Sequence, residues 1–247
     1  MKQPADFAEQ RETDPQLPPG QWERVSGYGV MGLPFQSGHV LGLRRWTASS
    51  IGAGFTSIWH RNPQGSWTFY ETAPCEVACS RYFGAGVDQV LTEPIELDWE
   101  GPKRLRVRTV RDDGVDWTIE VGATLVTRMM SAVGSALPTR LWHSRHVLGA
   151  MGHVAGWALR AGTVRLTGMT SNEQPFAANP QRIWSVTNSH ALVNGQDLGP
   201  IGPLAEQASL GDFYFPQRGI FAMGRVYVDT SPAAAWAGAP TDRPRQR

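Results

Sequence analysis

The chain contains almost no lysine. Lysine and arginine together account for 23 of its 247 residues, yet the only lysines are Lys2 and Lys103. Because Lys2 falls in a polar terminal segment, an amine nucleophile in the folded domain has to be Lys103. The basic residues are matched by 22 acidic ones, so the chain as a whole lacks the positive field that attracts nucleic acid or anionic lipid.

Long apolar runs and cysteines are also scarce. No stretch approaches the roughly 20 apolar residues that span a bilayer, and residues 1–6 lack the apolar core of a secretion signal. Cys75 and Cys79 are four residues apart, a separation too long for an easy disulfide in an extended segment. We therefore expect a cytoplasmic protein with two reduced thiols and no membrane span.

The ends of the chain differ in composition from its middle. Residues 1–20 and 231–247 are polar and rich in proline, which is typical of flexible tails. Between them no linker and no internal repeat interrupts the sequence. The organisation predicted is one domain over 21–230, with a tail on each side.

Alternating side chains predict a first antiparallel hairpin. Residues 54–60 alternate between two faces, and residues 67–71 form the returning strand. Between them Pro63 and Gly65 favour a turn, since proline fixes its own φ and glycine accepts positive φ.

A second hairpin is expected at residues 104–121. Arginines at 104, 106 and 108 alternate with apolar residues, a turn follows at 112–114, and Asp116 and Glu120 lie on the polar face of the returning strand. One apolar face and one face with opposed charges are expected for an antiparallel pair with one side in water.

The sequence period changes to that of a helix around 127–160, which predicts a helical insertion of one or two helices. Strands resume after it; the predicted ranges are 163–167, 182–187, 191–193 and 219–229. The fold class expected is mainly β, a single antiparallel barrel or strongly curved sheet with this helical insertion.

Two motifs suggest sites that their context does not support. Residues 27–32 match G-x-G-x-x-G, but no strand precedes them and Pro34 follows, so we interpret them as an entry loop and not a dinucleotide site. His143, His146 and His153 have helical spacing, but no carboxylate or thiol accompanies them, and no metal site is predicted. A helix carrying Trp142, His143 and His146 over a barrel mouth would instead offer acid or base groups.

Polar residues set among aromatic ones suggest a small-molecule site. A carboxylate held among rings has its charged form disfavoured and is a candidate acid near neutral pH. We assign Asp212 as the acid, with His60, Tyr70 or His143 orienting the substrate or water. The candidate ligand-binding residues are Trp59, Trp67, Glu71, Tyr82, Trp142, His146 and Tyr214.

The hairpin of residues 59–70, the turn of residues 99–102 into an arginine-alternating strand, and residues 211–213 before the last strand resemble one known family. These segments are similar to lipocalin-like proteins of the carotenoid hydratase (hydroxyneurosporene synthase) and AttH type, a group that includes pericyclases. The resemblance covers about residues 35–229. It implies a lipocalin-like barrel and a hydrophobic ligand.

Three functions follow as hypotheses. The first is a cofactor-independent enzyme that hydrates, isomerises or cyclises a hydrophobic small molecule such as an isoprenoid, polyketide or steroid. The second is a non-catalytic carrier of such a ligand. The third is a Schiff-base decarboxylase or aldolase that uses Lys103. No nucleic-acid partner is expected, and a homodimer is left open.

Overall fold

The computed structural model describes residues 2–111, 114–138, 141, 142 and 144–231. Four α-helices are present in this part: α1 (Pro4–Thr13), α2 (Ser80–Phe83), α3 (Leu125–Ala136) and α4 (Arg145–Ala158). The strands are β1 (Glu23–Val30), β2 (Leu33–Pro34), β3 (Val40–Ser49), β4 (Phe55–Arg61), β5 (Trp67–Glu71), β6 (Gln89–Thr92), β7 (Ile95–Trp99), β8 (Arg104–Thr109), β9 (Val115–Gly122), β10 (Thr167–Met169), β11 (Pro175–Val193), β12 (Gln196–Asp197), β13 (Ser209–Leu210), β14 (Phe213–Tyr214) and β15 (Ile220–Val228).

One large, strongly curved sheet forms the fold. Its strands follow the order β6-β5-β4-β3-β1-β15-β11-β9-β8-β7. The β5–β6 pair is parallel, and the other neighbours in this order are antiparallel. Leu43 of β3 and Ile58 of β4 share one buried cluster with Val107 of β8 and Trp117 of β9. Strands far apart in the order therefore meet across the inside of the curl.

The opposite face of the sheet carries a second apolar core. Trp46, Trp59, Phe69 and Phe215 belong to this cluster. The period-two alternation of strands explains the division, because neighbours such as Ile58 and Trp59 point to opposite faces. The residue order thus builds two cores, one inside the curl and one on the outer face.

Helices α3 and α4 lie over the outer face. Thr124 caps α3 by accepting a hydrogen bond from the amide of Thr127 at 3.1 Å, as N-cap residues do. The Ser131 hydroxyl, on α3, accepts a hydrogen bond from the amide of Ile183 at 2.9 Å. In α4 a Cβ at Gly156 would lie 2.3 Å from the carbonyl oxygen of Gly162, so only glycine permits this close approach.

The fold class expected from the sequence is confirmed: the chain is mainly β, with a strongly curved sheet and helices in the 127–160 region. Both predicted hairpins are present, as β4–β5 and β8–β9. The last strand is also where the sequence places it, as β15. Residues 112 and 113 of the second turn lie outside the described part, as do residues 232–247 of the C-terminal tail.

Two predictions at the N-terminal end are wrong. Residues 4–13 form α1 and not a tail, because Ala8 is fully buried and the ring of Phe7 lies 5.9 Å from that of Trp184. Residues 27–30 belong to strand β1 and not to an entry loop. A Cβ on Gly29 would lie 2.0 Å from the carbonyl oxygen of Leu43, so this glycine allows close packing against β3.

The strands predicted at 182–187 and 191–193 are one strand, β11, and the strand predicted at 163–167 is displaced to β10. β11 pairs with β15 along its first half and with β9 along its second half. The register shifts between Pro180 and Arg182 and again between Val186 and Asn188. Each bulge reverses the alternation of faces, which is why the sequence pattern breaks into short pieces.

None of the helices in the described ranges combines the length and the apolar character needed to cross a bilayer.

Candidate ligand-binding site

An apolar cavity lies between the outer face of the sheet and helices α3 and α4. Its floor includes Ile220, Ala222 and Val226, which alternate along β15 and therefore share one face. Met130 of α3 and Met151 of α4 are among the side chains that cover it. We call it the helix-covered cavity; it measures about 120 Å³.

A second, smaller cavity of about 60 Å³ lies further along the same face. We call it the aromatic cavity, because rings form most of its wall: Trp46, Phe55, Trp59, Tyr82, Phe83, Phe176 and Phe213. Trp46 and Phe213 line both cavities. The two cavities are therefore neighbours that meet at these side chains.

The wall of the aromatic cavity also contains a buried arginine. Arg44 is only 3% exposed and faces Ser57, which in turn faces Glu71, so the three residues form one row across β3, β4 and β5. The Arg44 guanidinium lies 4.6 Å from the ring centre of Trp59 and 5.1 Å from that of Phe213. Aromatic faces attract such a cation.

The hydrogen-bond partners of Arg44 are backbone carbonyls. Nη1 donates to Val30 at 2.5 Å and to Leu43 at 2.9 Å, and Nη2 donates to Met31 at 3.0 Å. No carboxylate of the described residues forms an ion pair with this guanidinium. Burial lowers the pKa of Arg44 to about 10, so the group stays charged at neutral pH.

Glu71 closes the row with a set of hydroxyl and amide donors. It is fully buried. It accepts hydrogen bonds from the hydroxyls of Ser57 at 3.0 Å and Ser80 at 2.5 Å, and from the Ser80 amide at 3.1 Å. Burial raises the pKa of Glu71, against the effect of these bonds. Ser57 also accepts from the indole of Trp59 at 2.9 Å, so Glu71 fixes the ring against which Arg44 lies.

Cys79 and Glu23 also line the aromatic cavity. Burial, and then the charge of Glu71, raise the pKa of Cys79 to about 12, which leaves a neutral thiol and no nucleophile at neutral pH. Glu23 accepts hydrogen bonds from Arg81 at 2.7 Å and from the Tyr82 hydroxyl at 2.8 Å. The bond from Arg81 is the main reason that the pKa of Glu23 is lowered.

His60 and Tyr70, two of the catalytic candidates, lie together but in a different place. They line a polar pocket on the other side of the sheet, where His60 Nε2 is 2.8 Å from Nδ1 of His39. Burial, and then the neighbouring His39, lower the pKa of His60 to about 4. This histidine pair is separated from Arg44 by the sheet itself.

Asp212, the candidate acid, joins neither group. Its carboxylate forms an ion pair with Arg165 and accepts a hydrogen bond from the Met169 amide at 2.9 Å. Arg165 also lies 5.1 Å from the ring centre of Tyr214. Arg165 and Tyr214 line the helix-covered cavity, whereas Asp212 does not.

The remaining candidates are scattered. Trp59 and Tyr82 line the aromatic cavity, and Trp67 packs 4.5 Å from Phe215 in the same core. Trp142 is buried in a separate cluster under α4, and His146 is exposed. His143 lies outside the described residues. Lys103 is exposed just before β8 and lines neither cavity.

Arg44 was not among the sequence candidates; the sequence shows only that two adjacent arginines, 44 and 45, interrupt an apolar strand. Arg44 shares its face of β3 with Val40, Gly42 and Trp46, so a charge interrupts an otherwise apolar row. Within the described ranges no group of three or more histidine, cysteine or acidic side chains is placed to hold a metal ion.

No protein-family model matches the chain, and no curated protein does. Among solved structures the chain is similar to an acetoacetate decarboxylase from Legionella pneumophila subsp. pneumophila str. Philadelphia 1, with 8% identity and a TM-score of 0.41. The similarity covers 87% of this chain and 89% of that one. A similarity of this degree does not bear on the activity of this chain.

Proposed function

We propose that the protein binds a small apolar carboxylic acid in the aromatic cavity, with the carboxylate on the guanidinium of Arg44. The observation that carries this proposal is a buried cation among rings, without a carboxylate of the described residues to balance it. An uncompensated charge in an apolar interior costs several kcal/mol. Three carbonyls and two rings offset only part of that cost, and an anionic ligand would offset more.

The donors left on Arg44 suit a carboxylate. A guanidinium has five N–H groups, and the bonds to Val30, Leu43 and Met31 use two on Nη1 and one on Nη2. One N–H on Nε and one on Nη2 remain. These two nitrogens are adjacent, which is the arrangement that binds both oxygens of a carboxylate.

The cavity volumes limit the size of the ligand. An apolar protein cavity of roughly 150 Å³ holds benzene, whereas the aromatic cavity measures about 60 Å³ and the helix-covered cavity about 120 Å³. Neither cavity alone reaches that volume, so an aromatic or short branched acid has to occupy both: its carboxylate at Arg44 in the aromatic cavity and its apolar part in the adjoining helix-covered cavity. An isoprenoid or steroid, as the sequence hypothesis envisages, needs α3 and α4 to move outward.

Calorimetric titration with matched ligands tests the proposal. Benzoate, phenylacetate and isovalerate would be compared with their neutral amides, which have nearly the same shape. We expect the acids to bind at least about tenfold more tightly than the amides, because charge-assisted hydrogen bonds are about twice as strong as neutral ones.

Two single variants supply the control. Arg44→Met removes the charge and should abolish the preference for acids. Arg45→Met removes the neighbouring arginine, whose side chain points to the other face and pairs with Glu12, and should leave the preference unchanged. Equal binding of acids and amides by the wild-type protein would refute the proposal.

A second candidate function is acid–base catalysis on the same ligand, as in the leading sequence hypothesis. A positive group in a water-excluded site stabilises an anion that develops on a carbonyl oxygen, and Glu23 is the carboxylate base that lines the aromatic cavity. Its lowered pKa makes it a weak base at neutral pH. The weak basicity of Glu23 favours a carrier over an enzyme.

Deuterium exchange separates enzyme from carrier. The probe is phenylacetate, which carries hydrogen on the carbon next to its carboxylate: if Glu23 takes that proton, the C–H electron pair moves to the carboxylate oxygens near Arg44, and a deuteron from heavy water then returns to the carbon. Exchange seen by NMR that Glu23→Gln abolishes, without weaker binding, would establish catalysis. Binding without exchange would support the carrier.

Two sequence hypotheses stay predictions with tests of their own. Reduction by borohydride in the presence of a keto acid should add mass at Lys103 if that residue forms a Schiff base. Asp212→Asn should reduce turnover of an identified substrate if Asp212 is the acid.

A further inference from the structure

The outward faces of α3 and α4 expose large apolar side chains. On α3 these are Leu125, Met129 and Val133, spaced four residues apart, with 74%, 62% and 53% of their surface exposed. On α4, Val154 and Trp157 are 60% and 84% exposed. Residues four apart lie on one side of a helix. Each helix therefore presents an apolar stripe that the rest of the chain does not cover.

The two apolar stripes face outward on the same side of the molecule. Met130 and Ser131 of α3, and Met151 and Ala155 of α4, line the helix-covered cavity. The two helices thus turn their inner sides to the same cavity over the outer face of the sheet. Their opposite sides face outward together.

Charge distinguishes this surface from the rest of the chain. Between Glu120 and Glu173 the sequence contains no aspartate or glutamate but five arginines, although the net charge of the whole chain is only +1. Arg128 lies on α3, Arg145 is the first residue of α4 and Arg160 lies two residues beyond its end, and all three are exposed. Among the described residues none of these three forms an ion pair.

We propose that the outer faces of α3 and α4 bind the surface of an anionic lipid bilayer. Apolar side chains on one side of a helix bury at the boundary between headgroups and acyl chains, and arginines bind the lipid phosphates. Tryptophan prefers this boundary, because its ring is partly apolar and partly polar. A second copy of the chain fits less well, since its arginines would face the same arginines across a twofold axis.

Vesicle flotation of the full chain tests the proposal. The protein would be mixed with vesicles of phosphatidylcholine alone and with vesicles of equal parts phosphatidylcholine and phosphatidylglycerol. We expect binding to the anionic vesicles and little to the neutral ones. Binding should weaken steeply with salt, because screening reduces attraction between exposed charges.

Charge variants identify the surface. The triple variant Arg128→Gln, Arg145→Gln, Arg160→Gln should bind about a hundredfold more weakly, at about fivefold for each charge removed near the membrane. The matched control is Arg104→Gln, Arg106→Gln, Arg108→Gln on β8, which changes the net charge equally and should bind as the wild type does. If both triple variants lose binding alike, the surface is not the one proposed.

Apolar variants complete the test. Met129→Gln with Trp157→Gln should weaken vesicle binding about tenfold, whereas Leu17→Gln with Val110→Gln, also at exposed apolar positions, should not. Thermal unfolding checks that each variant is folded. Light scattering would overturn the proposal if it showed a wild-type dimer that the Met129→Gln, Trp157→Gln variant dissociates. This face would then be an interface between copies of the chain.

The proposal is independent of the ligand site. Arg44→Met should bind vesicles as the wild type does, since Arg44 is buried on β3 and is not part of the helix surfaces. Absence of vesicle binding by the wild-type protein would refute the membrane proposal and leave carboxylate binding untouched.

Discussion

Arg44 and Arg45 are adjacent in the chain and lie on opposite faces of β3. The guanidinium of Arg45 donates to both carboxylate oxygens of Glu12, at 2.9 and 2.6 Å, and the same carboxylate accepts from the Tyr28 hydroxyl at 2.8 Å. The guanidinium of Arg44 has backbone carbonyls and two rings as its partners. One charge is balanced by a side chain of the protein, whereas the other is balanced only by dipoles and π faces.

This difference separates a structural charge from a functional one. A balanced ion pair at a partly exposed site contributes modestly to stability. A buried cation without a carboxylate lowers stability, so its presence is better explained by a ligand than by folding. The two faces of strands β3, β4 and β5 therefore have different roles. Single substitutions on one face should have different consequences from those on the other.

The largest effect is expected from Trp59→Ala. Trp59 is 2% exposed and stacks on Phe69 with ring centres 4.5 Å apart, so its removal opens a cavity and leaves Arg44 without its closest ring. Truncation of a buried tryptophan costs about 3–5 kcal/mol. Urea unfolding at neutral pH should show this loss.

Trp157→Ala is the matched control for that substitution. Because Trp157 is 84% exposed, its removal should change the free energy of unfolding by less than about 0.5 kcal/mol. A loss for Trp59→Ala as small as that for Trp157→Ala would mean that the aromatic cavity is not tightly packed.

The second-largest effect is expected in the pH dependence of the free energy of unfolding, through His60 on the opposite face of the sheet. Burial lowers the pKa of His60 to about 4, so the folded state disfavours the charged ring. The stability that neutral His60 contributes is complete above the unfolded pKa of about 6.5 and is lost as the pH falls towards 4. The loss should reach about 3 kcal/mol, measured as the free energy of unfolding between pH 7 and pH 4.

His60→Asn isolates this contribution. The variant should lose most of the pH dependence, whereas the exposed control His146→Asn should keep it. The comparison is needed because burial also lowers the pKa of the adjacent His39, which acts in the same direction, and raises the pKa of Glu71, which acts in the opposite direction. Identical pH profiles for the wild type and His60→Asn would show that His60 is not held neutral.

The smallest effect is expected from Arg45→Met. The Arg45 side chain is 25% exposed, and a partly exposed ion pair of good geometry contributes about 1 kcal/mol. The loss of stability should shrink in high salt, because screening weakens the wild-type pair. A loss several times larger, unchanged by salt, would place Arg45 in the core and remove the contrast with Arg44.

The sequence predicted the fold wherever one period persisted over a whole strand. The hairpins β4–β5 and β8–β9 alternate without interruption and were found. β11 was not, because its bulges between Pro180 and Arg182 and between Val186 and Asn188 reverse the facing of the side chains. α1 was missed because it buries little besides Ala8 and offers no apolar stripe to detect.

The site was harder to predict because alternation along a strand does not show which of its two faces is buried around a charged residue. Trp59, Tyr82 and Glu71 were proposed as ligand-binding residues from their aromatic surroundings, and the structure places them in or beside the aromatic cavity; their role in binding stays a prediction. Arg44 was not, because Arg45 follows it and alternation alone cannot say which of two adjacent arginines is buried. That choice depends on Glu12 of α1, a helix that the sequence pattern did not reveal.

The most direct measurement is a thermodynamic cycle for one ligand in two forms. Benzoate and benzamide would be titrated into the wild-type protein and into Arg44→Met, and the four binding free energies combined. We expect a coupling of at least about 1.4 kcal/mol between the ligand carboxylate and Arg44, which is the tenfold preference expressed as a free energy and lies at the lower end of the couplings measured for close charge pairs. A coupling indistinguishable from zero, with both proteins folded and both ligands bound, would contradict the assignment of Arg44 as the carboxylate-binding residue.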